Sequence, residues 1–318
     1  MSLDIPVLFV IHRRPIVTRR VFAAIAAAEP RRLFIAADGP ATIGDQEACD
    51  EARAAVSRID WQCEVSHDFS ETNLGLNRRM ISAIDWVFKQ SESAIVIEDD
   101  CLPHPDFFRF CSSLLERYRD DSRVVHVSGE CYRTERTGGD SYFFSKYPLA
   151  WGWGTWRRAW SLFDAAMTSW PEFRVQAAAQ ALFDSEDERQ YWTSTFDLLH
   201  RDGAAGSMGS WDYAWYYACM VHGLSIHPAV NLVSNIGSGP LASHTSDLGG
   251  LADRRAGSMD QPLRHPASLV RDRQADLDTF DHRFPGSLLK RQRSFAHQIR
   301  RPARWALRLV RGVRGDAR

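Results

Sequence analysis

The chain has 318 residues, 44% of them hydrophobic and 25% charged, which supports a large packed core and excludes wholesale disorder, collagen and a disulfide mini-scaffold. No uninterrupted apolar run of about 18 residues occurs, so no bilayer-spanning helix is expected. The net charge of −1 conceals a basic tail: residues 290–318 carry ten Lys or Arg against one acid, leaving a body of about −10 that argues against nucleic-acid binding.

In chain order, Ile5–Ile11 is a continuous apolar run, as expected of a strand buried on both faces. No basic segment precedes it and no small-residue cleavage site follows it, so it reads as a first strand and not as a signal peptide. Val21, Phe22, Ile25 and Ala28 then share one helical face. Leu33–Ala37 is a second strand, closed by the turn signal Asp38-Gly39-Pro40. Residues 45–59 show helical spacing, and Trp61–His67 reads as a third strand. An amphipathic helix over 76–88 leads to the strand Ala94–Ile97, which runs straight into Glu98-Asp99-Asp100. A helix with Pro105 in its first turn follows, then a fifth strand at Val124–Ser128.

Strand and helix alternating in this way predict an α/β fold, a mostly parallel, Rossmann-like sheet with helices on both faces. In such sheets ligands sit outside the carboxyl ends of the strands, which selects Arg13, Arg14, Asp38 and the acids at 98–100. No glycine-rich phosphate signature follows the first strand, so neither a dinucleotide site nor a P-loop is indicated. The second half changes character. Trp151, Trp153, Trp156, Trp160 and Trp170 crowd into residues 147–171, and Trp192, Trp211 and Trp215 follow. Most are expected in the core. The spacing of 151, 153 and 156 suits a loop bordering the site, where a ring can face a sugar. Residues 172–200 read as helix and 235–268 as loop. The expected organisation is one domain over 1–289, with a nucleotide-sugar half (1–130) and an acceptor half (131–289), followed by the tail 290–318.

Three acids after a buried strand repel one another unless a cation or hydrogen-bond donors offset them. Hard carboxylate oxygens with room for a diphosphate suit Mg²⁺ or Mn²⁺; the alternative is a solvated acidic loop. Ala94–Tyr118 (AIVIEDDCLPHPDFFRFCSSLLERY) resembles the segment around the acidic metal motif of GT-A glycosyltransferases, closest to the N-acetylglucosaminyltransferase I type. Trp151-Gly152-Trp153-Gly154-Thr155-Trp156 and Asn235-Ile236-Gly237…His244-Thr245 resemble segments of bacterial sugar-transferase-like proteins of the same superfamily. The resemblance spans roughly residues 4–246. It implies a GT-A fold and a metal-dependent transfer of sugar from a nucleotide-diphosphate donor, a UDP-sugar, to a glycan or lipid-linked acceptor, with inversion.

Site roles follow from the resemblance one residue at a time. Asp100 would ligate the metal and Asp99 would lie near the ribose or phosphates. Asp38 would meet the nucleobase edge, and Arg14 and Arg79 would lie along the donor. Arg79 stands where those enzymes have histidine. Ser210-Trp211-Asp212-Tyr213-Ala214-Trp215 resembles a Trp-Asp-Asp-Trp segment that carries the general base; with Tyr213 in place of the second acid, Asp212 is the remaining candidate. An acid flanked by aromatics is partly desolvated, which suits a proton acceptor, although an acid in a first helical turn also favours the helix dipole. His244 would complete the metal site from a late loop.

Phe295, Ile299, Ala303, Ala306, Leu307 and Val310 share one helical face in the basic tail, interrupted by Pro302. That pattern predicts a helix lying on an anionic membrane surface, the alternative being a disordered tail. Six scattered cysteines without CxxC point to free thiols in a reducing cytoplasm, and the basic tail fits a peripheral place at the inner membrane. Two other readings compete: a sugar-nucleotide nucleotidyltransferase, which needs a glycine-rich loop after the first strand, and a non-catalytic carbohydrate-binding protein, for which the tryptophans suffice.

Overall fold

The computed structural model describes residues 3–134, 139–205, 209–237, 254–286 and 288–289. His244 and the tail 290–318 lie outside the described residues. The first half alternates as its hydrophobic pattern predicts. It runs β1 (Val7–Ile11), α1 (Pro15–Ala28), β2 (Arg32–Ala37), α2 (Gln46–Ala54), β3 (Glu64–Phe69), α3 (Leu76–Phe88) and β4 (Ser93–Glu98). A short β5 (Cys101–Pro103) follows, then α4 (Pro105–Arg117) and β6 (Val124–Ser128). The second half contributes β7 (Tyr142–Ser145), β8 (Trp153–Trp156), α5 (Arg157–Trp160), α6 (Trp170–Phe173), α7 (Ala177–Ala181) and α8 (Glu186–Ala204). It closes with α9 (Trp211–His222), β9 (Leu224–Pro228), β10 (Val233–Asn235) and α10 (Arg273–Arg283).

One eight-stranded sheet has the order β3-β2-β1-β4-β8-β6-β9-β7. β1, β2, β3 and β4 pair in parallel, and β6 and β9 pair in parallel. β8 is antiparallel to both β4 and β6, and β7 is antiparallel to β9. The sheet is therefore mostly parallel, with β7 and β8 reversed. The fold is the α/β, Rossmann-like class that the alternation predicts. Among the described residues no helix is long and apolar enough to cross a membrane.

One expectation for the second half is corrected. Trp153 and Trp156 do not border a loop; they lie in β8, a fully buried strand inside the sheet. The run Trp-Gly-Thr-Trp lacks two-fold alternation because both of its faces are covered. Gly154 lets α4 pack closely there, since a Cβ would stand 3.0 Å from Leu115 Cδ1. Residues 172–200 are largely helical, as expected, in parts of α6, α7 and α8, the last begun by Ser185, whose side chain accepts from Glu188 N–H.

α9 is anchored to the sheet through a buried histidine. The His126 ring stacks on Trp153, with centroids 5.0 Å apart and planes at 16°. Its Nδ1 accepts from Trp215 Nε1 at 3.2 Å, and its Nε2 faces Leu149 O at 2.9 Å. Those partners select the neutral tautomer protonated on Nε2. Burial holds the His126 pKa down, to about 3. The unfolded chain therefore takes up this proton first on acidification, and the contribution of His126 to stability is lost as pH falls from 6.5 toward 3. His126→Phe is expected to cost about 1–3 kcal/mol at pH 7 by orphaning the buried Trp215 N–H. The same substitution should flatten part of the acid dependence. Urea midpoints of both proteins at pH 7 and pH 4.5 test this; an unchanged acid slope contradicts it.

Candidate active site

The acidic strand end is built by β4, the shortness of the β1–α1 connection and the β5–β10 ribbon. Only His12, Arg13 and Arg14 join β1 to α1, and Pro15 starts the helix. Arg14 occupies the cap position without capping, so its side chain is free to reach across. Its Nη2 bonds Asp99 Oδ1 and its Nη1 bonds Asp100 Oδ2 at 2.9 Å. Asp99 Oδ2 accepts the His12 backbone N–H at 3.2 Å. Ile236 N–H donates to Asp100 O at 2.8 Å and extends the ribbon to the site. Gly237 follows. A Cβ on it would overlap the Asp100 carboxylate and stand 2.8 Å from Arg14 Nη1. Sequence reasoning quoted Gly237 within a motif and missed this role; the signal is a glycine immediately after a strand that pairs beside the acids.

The charges at this point do not balance. Burial, then the charges of Asp100 and Asp99, push Glu98 well above the usual carboxylate range. Burial also raises Asp99, against the pull of Arg14. Asp212 acts on Glu98 in the same sense, which places it within electrostatic reach of the acids.

Asp212 stands in the first turn of α9. Its Oδ1 accepts from Ser210 Oγ and from Tyr213 N–H at 3.0 Å. Among the described residues its Oδ2 has no hydrogen-bond partner. The Trp211 N–H beside it donates to Asn77 Oδ1 at 3.1 Å, tying the start of α9 to α3. The structure thus brings Arg14, Asp99 and Asp100 together, with the Asp212 charge reaching Glu98.

Three expected donor residues have protein partners in the structure. Asp38 is 4% exposed, and its oxygens accept from Gly39 N–H (2.9 Å), Leu74 N–H (2.8 Å), Gly75 N–H (3.1 Å) and Asn73 Nδ2 (3.1 Å). Those four donors make Asp38 a latch on residues 73–75. Arg79 is 3% exposed and forms an ion pair with Asp68 of β3. Asp99 is buried with both oxygens engaged, and it orients Arg14 and the β1 exit beside Asp100. None of this was readable, because the partners of Asp38 and Arg79 come from elements distant in sequence.

A divalent cation suits the residues at the strand end. Asp100 offers a hard oxygen, and the three acids exceed the single guanidinium among them. Among the described residues no three His, Cys, Asp or Glu side chains form a ready cage. A cation here would be held by Asp100 with water and ligand oxygens, the usual habit of Mg²⁺. A cavity of about 690 Å³ near Glu29, Trp61 and Glu64 lies at the opposite end of the strands, where β2 and β3 begin.

No protein-family model matches the chain, and no curated protein does. Solved structures similar to it include a UDP-glucose pyrophosphorylase complexed with UDP-glucose, at 11% identity and TM-score 0.28, over 50% of this chain and 79% of that one. Another is a mannose-1-phosphate geranyltransferase from Thermus thermophilus, at 9% identity and TM-score 0.35, over 70% and 73%. A third is a 4-diphosphocytidyl-2C-methyl-D-erythritol synthase from Anaerococcus prevotii, at 7% identity and TM-score 0.30, over 62% and 85%. At such identities the function rests on the chain's own residues.

Arg14→Met removes the one guanidinium that bonds Asp99 and Asp100. The expected loss is about 3–5 kcal/mol in metal-free buffer, the usual cost of stripping one partner from a buried pair. Millimolar Mn²⁺ or Mg²⁺ should recover part of it. The Tm with and without metal measures this; a Tm indifferent to metal contradicts a cation at Asp100.

Proposed function

We propose that this chain is a glycosyltransferase that moves a sugar from a nucleotide-diphosphate donor to an acceptor hydroxyl. The observation that supports the reading is Asp212, whose Oδ2 has no partner among the described residues and whose charge reaches Glu98, the first of the three acids at the strand end. That juxtaposition separates a proton acceptor from an electrophilic end, as a single displacement requires.

In this reading Asp100 holds Mn²⁺ or Mg²⁺, which when bound supplies positive charge against the departing diphosphate. Asp99 keeps Arg14 aimed at the same place, so the guanidinium is a second cation toward the phosphates. Asp212 Oδ2 takes the acceptor hydroxyl proton as that oxygen attacks the anomeric carbon. The bond from the anomeric carbon to the phosphate oxygen breaks on the opposite face, and the nucleoside diphosphate leaves with the electron pair. The anomeric centre inverts. UDP as the nucleotide, His244 as a further ligand and a lipid-linked acceptor at an anionic membrane met by the tail rest on the sequence resemblance and composition.

The competing reading is a nucleotidyltransferase, such as the pyrophosphorylase above. The three-residue β1–α1 connection has no glycine, so it offers little backbone to wrap a triphosphate. Incubation with UDP-sugars and Mn²⁺ separates the readings. Slow metal-dependent UDP release supports transfer, exchange of labelled pyrophosphate supports nucleotidyl transfer, and neither reaction leaves a binding protein.

Asp212→Asn should keep donor affinity and lose transfer by about 100-fold or more, because the amide cannot accept the proton. Turnover within about threefold, roughly 0.7 kcal/mol, rules Asp212 out as the base. Gly237→Ala should weaken UDP binding at least tenfold by displacing Asp100 and Arg14. Calorimetric titration with UDP and Mn²⁺ measures it, and unchanged affinity removes Gly237 and Asp100 from the donor site.

A further inference from the structure

Arg283 ends α10 on the acceptor side of the molecule. Its guanidinium carbon stands 4.7 Å from the centre of the Trp151 ring and 5.5 Å from that of Phe284. Its Nε is sealed from solvent without a hydrogen-bond partner. Among the described residues no carboxylate lies within ion-pair distance of Arg283, and none of its N–H groups has a protein acceptor. Three other arginines also have a buried Nε without a partner, but each spends an Nη group elsewhere. Arg53 bonds Ser70 O at 2.6 Å, Arg79 bonds Asp68 and Arg254 bonds Cys131 O. Arg283 alone of these four uses none of its donors.

Its surroundings explain why no internal acceptor serves. Glu130, the nearby acid, is buried and already accepts from Trp151 N–H at 2.9 Å and Tyr132 Oη at 3.0 Å. Burial raises its pKa against the pull of Arg283, with which it interacts at a distance without an ion pair. The rest of the setting is aromatic: Tyr132, Tyr213 and Tyr216 all feel the Arg283 charge. Tyr216 feels Arg283 and Asp212 together, so the free cation and the candidate base act on one hydroxyl. A cation held on an indole face with its fork of donors unspent is suited to a planar oxyanion.

We propose that Arg283, stacked on Trp151, binds an oxyanion, a carboxylate or a phosphate, on the acceptor whose hydroxyl Asp212 deprotonates. The acceptor is then an anionic glycan or a phosphate-bearing lipid or sugar. This deepens the transferase reading and rests on it for the word acceptor; the anion site itself stands on Arg283 and its ring.

The test uses the full chain, without nucleotide. Tryptophan fluorescence is titrated with methyl β-D-glucuronide, with glucose 6-phosphate and with neutral methyl β-D-glucoside. At least one anion is expected to bind tenfold or more tightly than the glucoside, and which one does separates a sugar carboxylate from a phosphate. Arg283→Met should erase the preference and Arg283→Lys should keep part of it. Equal binding of charged and neutral sugars, or a preference that survives Arg283→Met, overturns the proposal. Should Arg283→Met fail to fold by circular dichroism, the wild-type preference and its reduction in Arg283→Lys decide the matter. UDP release is measured separately, so a failed transferase reading is distinguishable from a failed anion site.

Discussion

Like charges at the end of a buried strand are the constraint around which this molecule is arranged. Glu98, Asp99 and Asp100 follow an apolar run that the sheet covers on both faces, so they cannot simply move apart. Arg14 answers two of them, and it can do so only because β1 runs into α1 within three residues. The backbone of residues 235–237 then seals the group, at a distance that tolerates no side chain on Gly237. What remains is an excess of negative charge, and an excess of that kind is a binding capacity for cations.

The second half supplies the chemistry that the first half lacks. α9 starts beside the acids because Trp211 N–H is tied to Asn77 and Trp215 is tied to His126. Trp153 and Trp215 pack on that histidine, and Trp153 in turn meets Trp211 and Trp215 at centroid distances of 6.0 and 5.8 Å. Farther out, a second aromatic core of Trp170, Trp192, Phe196 and Phe280 joins α6, α8 and α10. Lys146, sunk between Asp184 and Glu188, and Arg271, between Asp184 and Asp276, hold that layer to β7. Arg283 owes its position to this layer.

The parts legible in the sequence are those where one residue's chemistry decides the outcome. Val7–Ile11 and Ala94–Ile97 read as buried strands because nothing polar interrupts them. The acids at 98–100 and Asp212 stood out by type and neighbours, and in the structure the Asp212 charge reaches Glu98. β8 was hidden because a strand covered on both faces need not alternate, and Trp-Gly-Thr-Trp resembles neither period. The partners of Asp38 and Arg79 were hidden because a lone charged residue at a strand end or helix start carries no mark of them. Those partners, residues 73–75 and Asp68, are set by tertiary packing alone. Arg283 was invisible for the opposite reason: among the described residues no hydrogen-bond acceptor meets its guanidinium.

The placement of β8 between β4 and β6 bears on how the chain is made. β4 is finished by residue 98 and β6 by residue 128, yet no hydrogen bond joins them, because residues 153–156 lie between them in the sheet. On the ribosome, the first four strands must wait with an apolar edge uncovered until those residues emerge. At about 5–20 residues per second the interval from residue 98 to residue 156 is a matter of seconds. For that time the nascent chain exposes Ala94-Ile95-Val96-Ile97 along a free edge, the kind of segment that invites pairing with another chain. The reversed strand that completes the sheet therefore makes any fragment ending near residue 130 a sheet with an open edge.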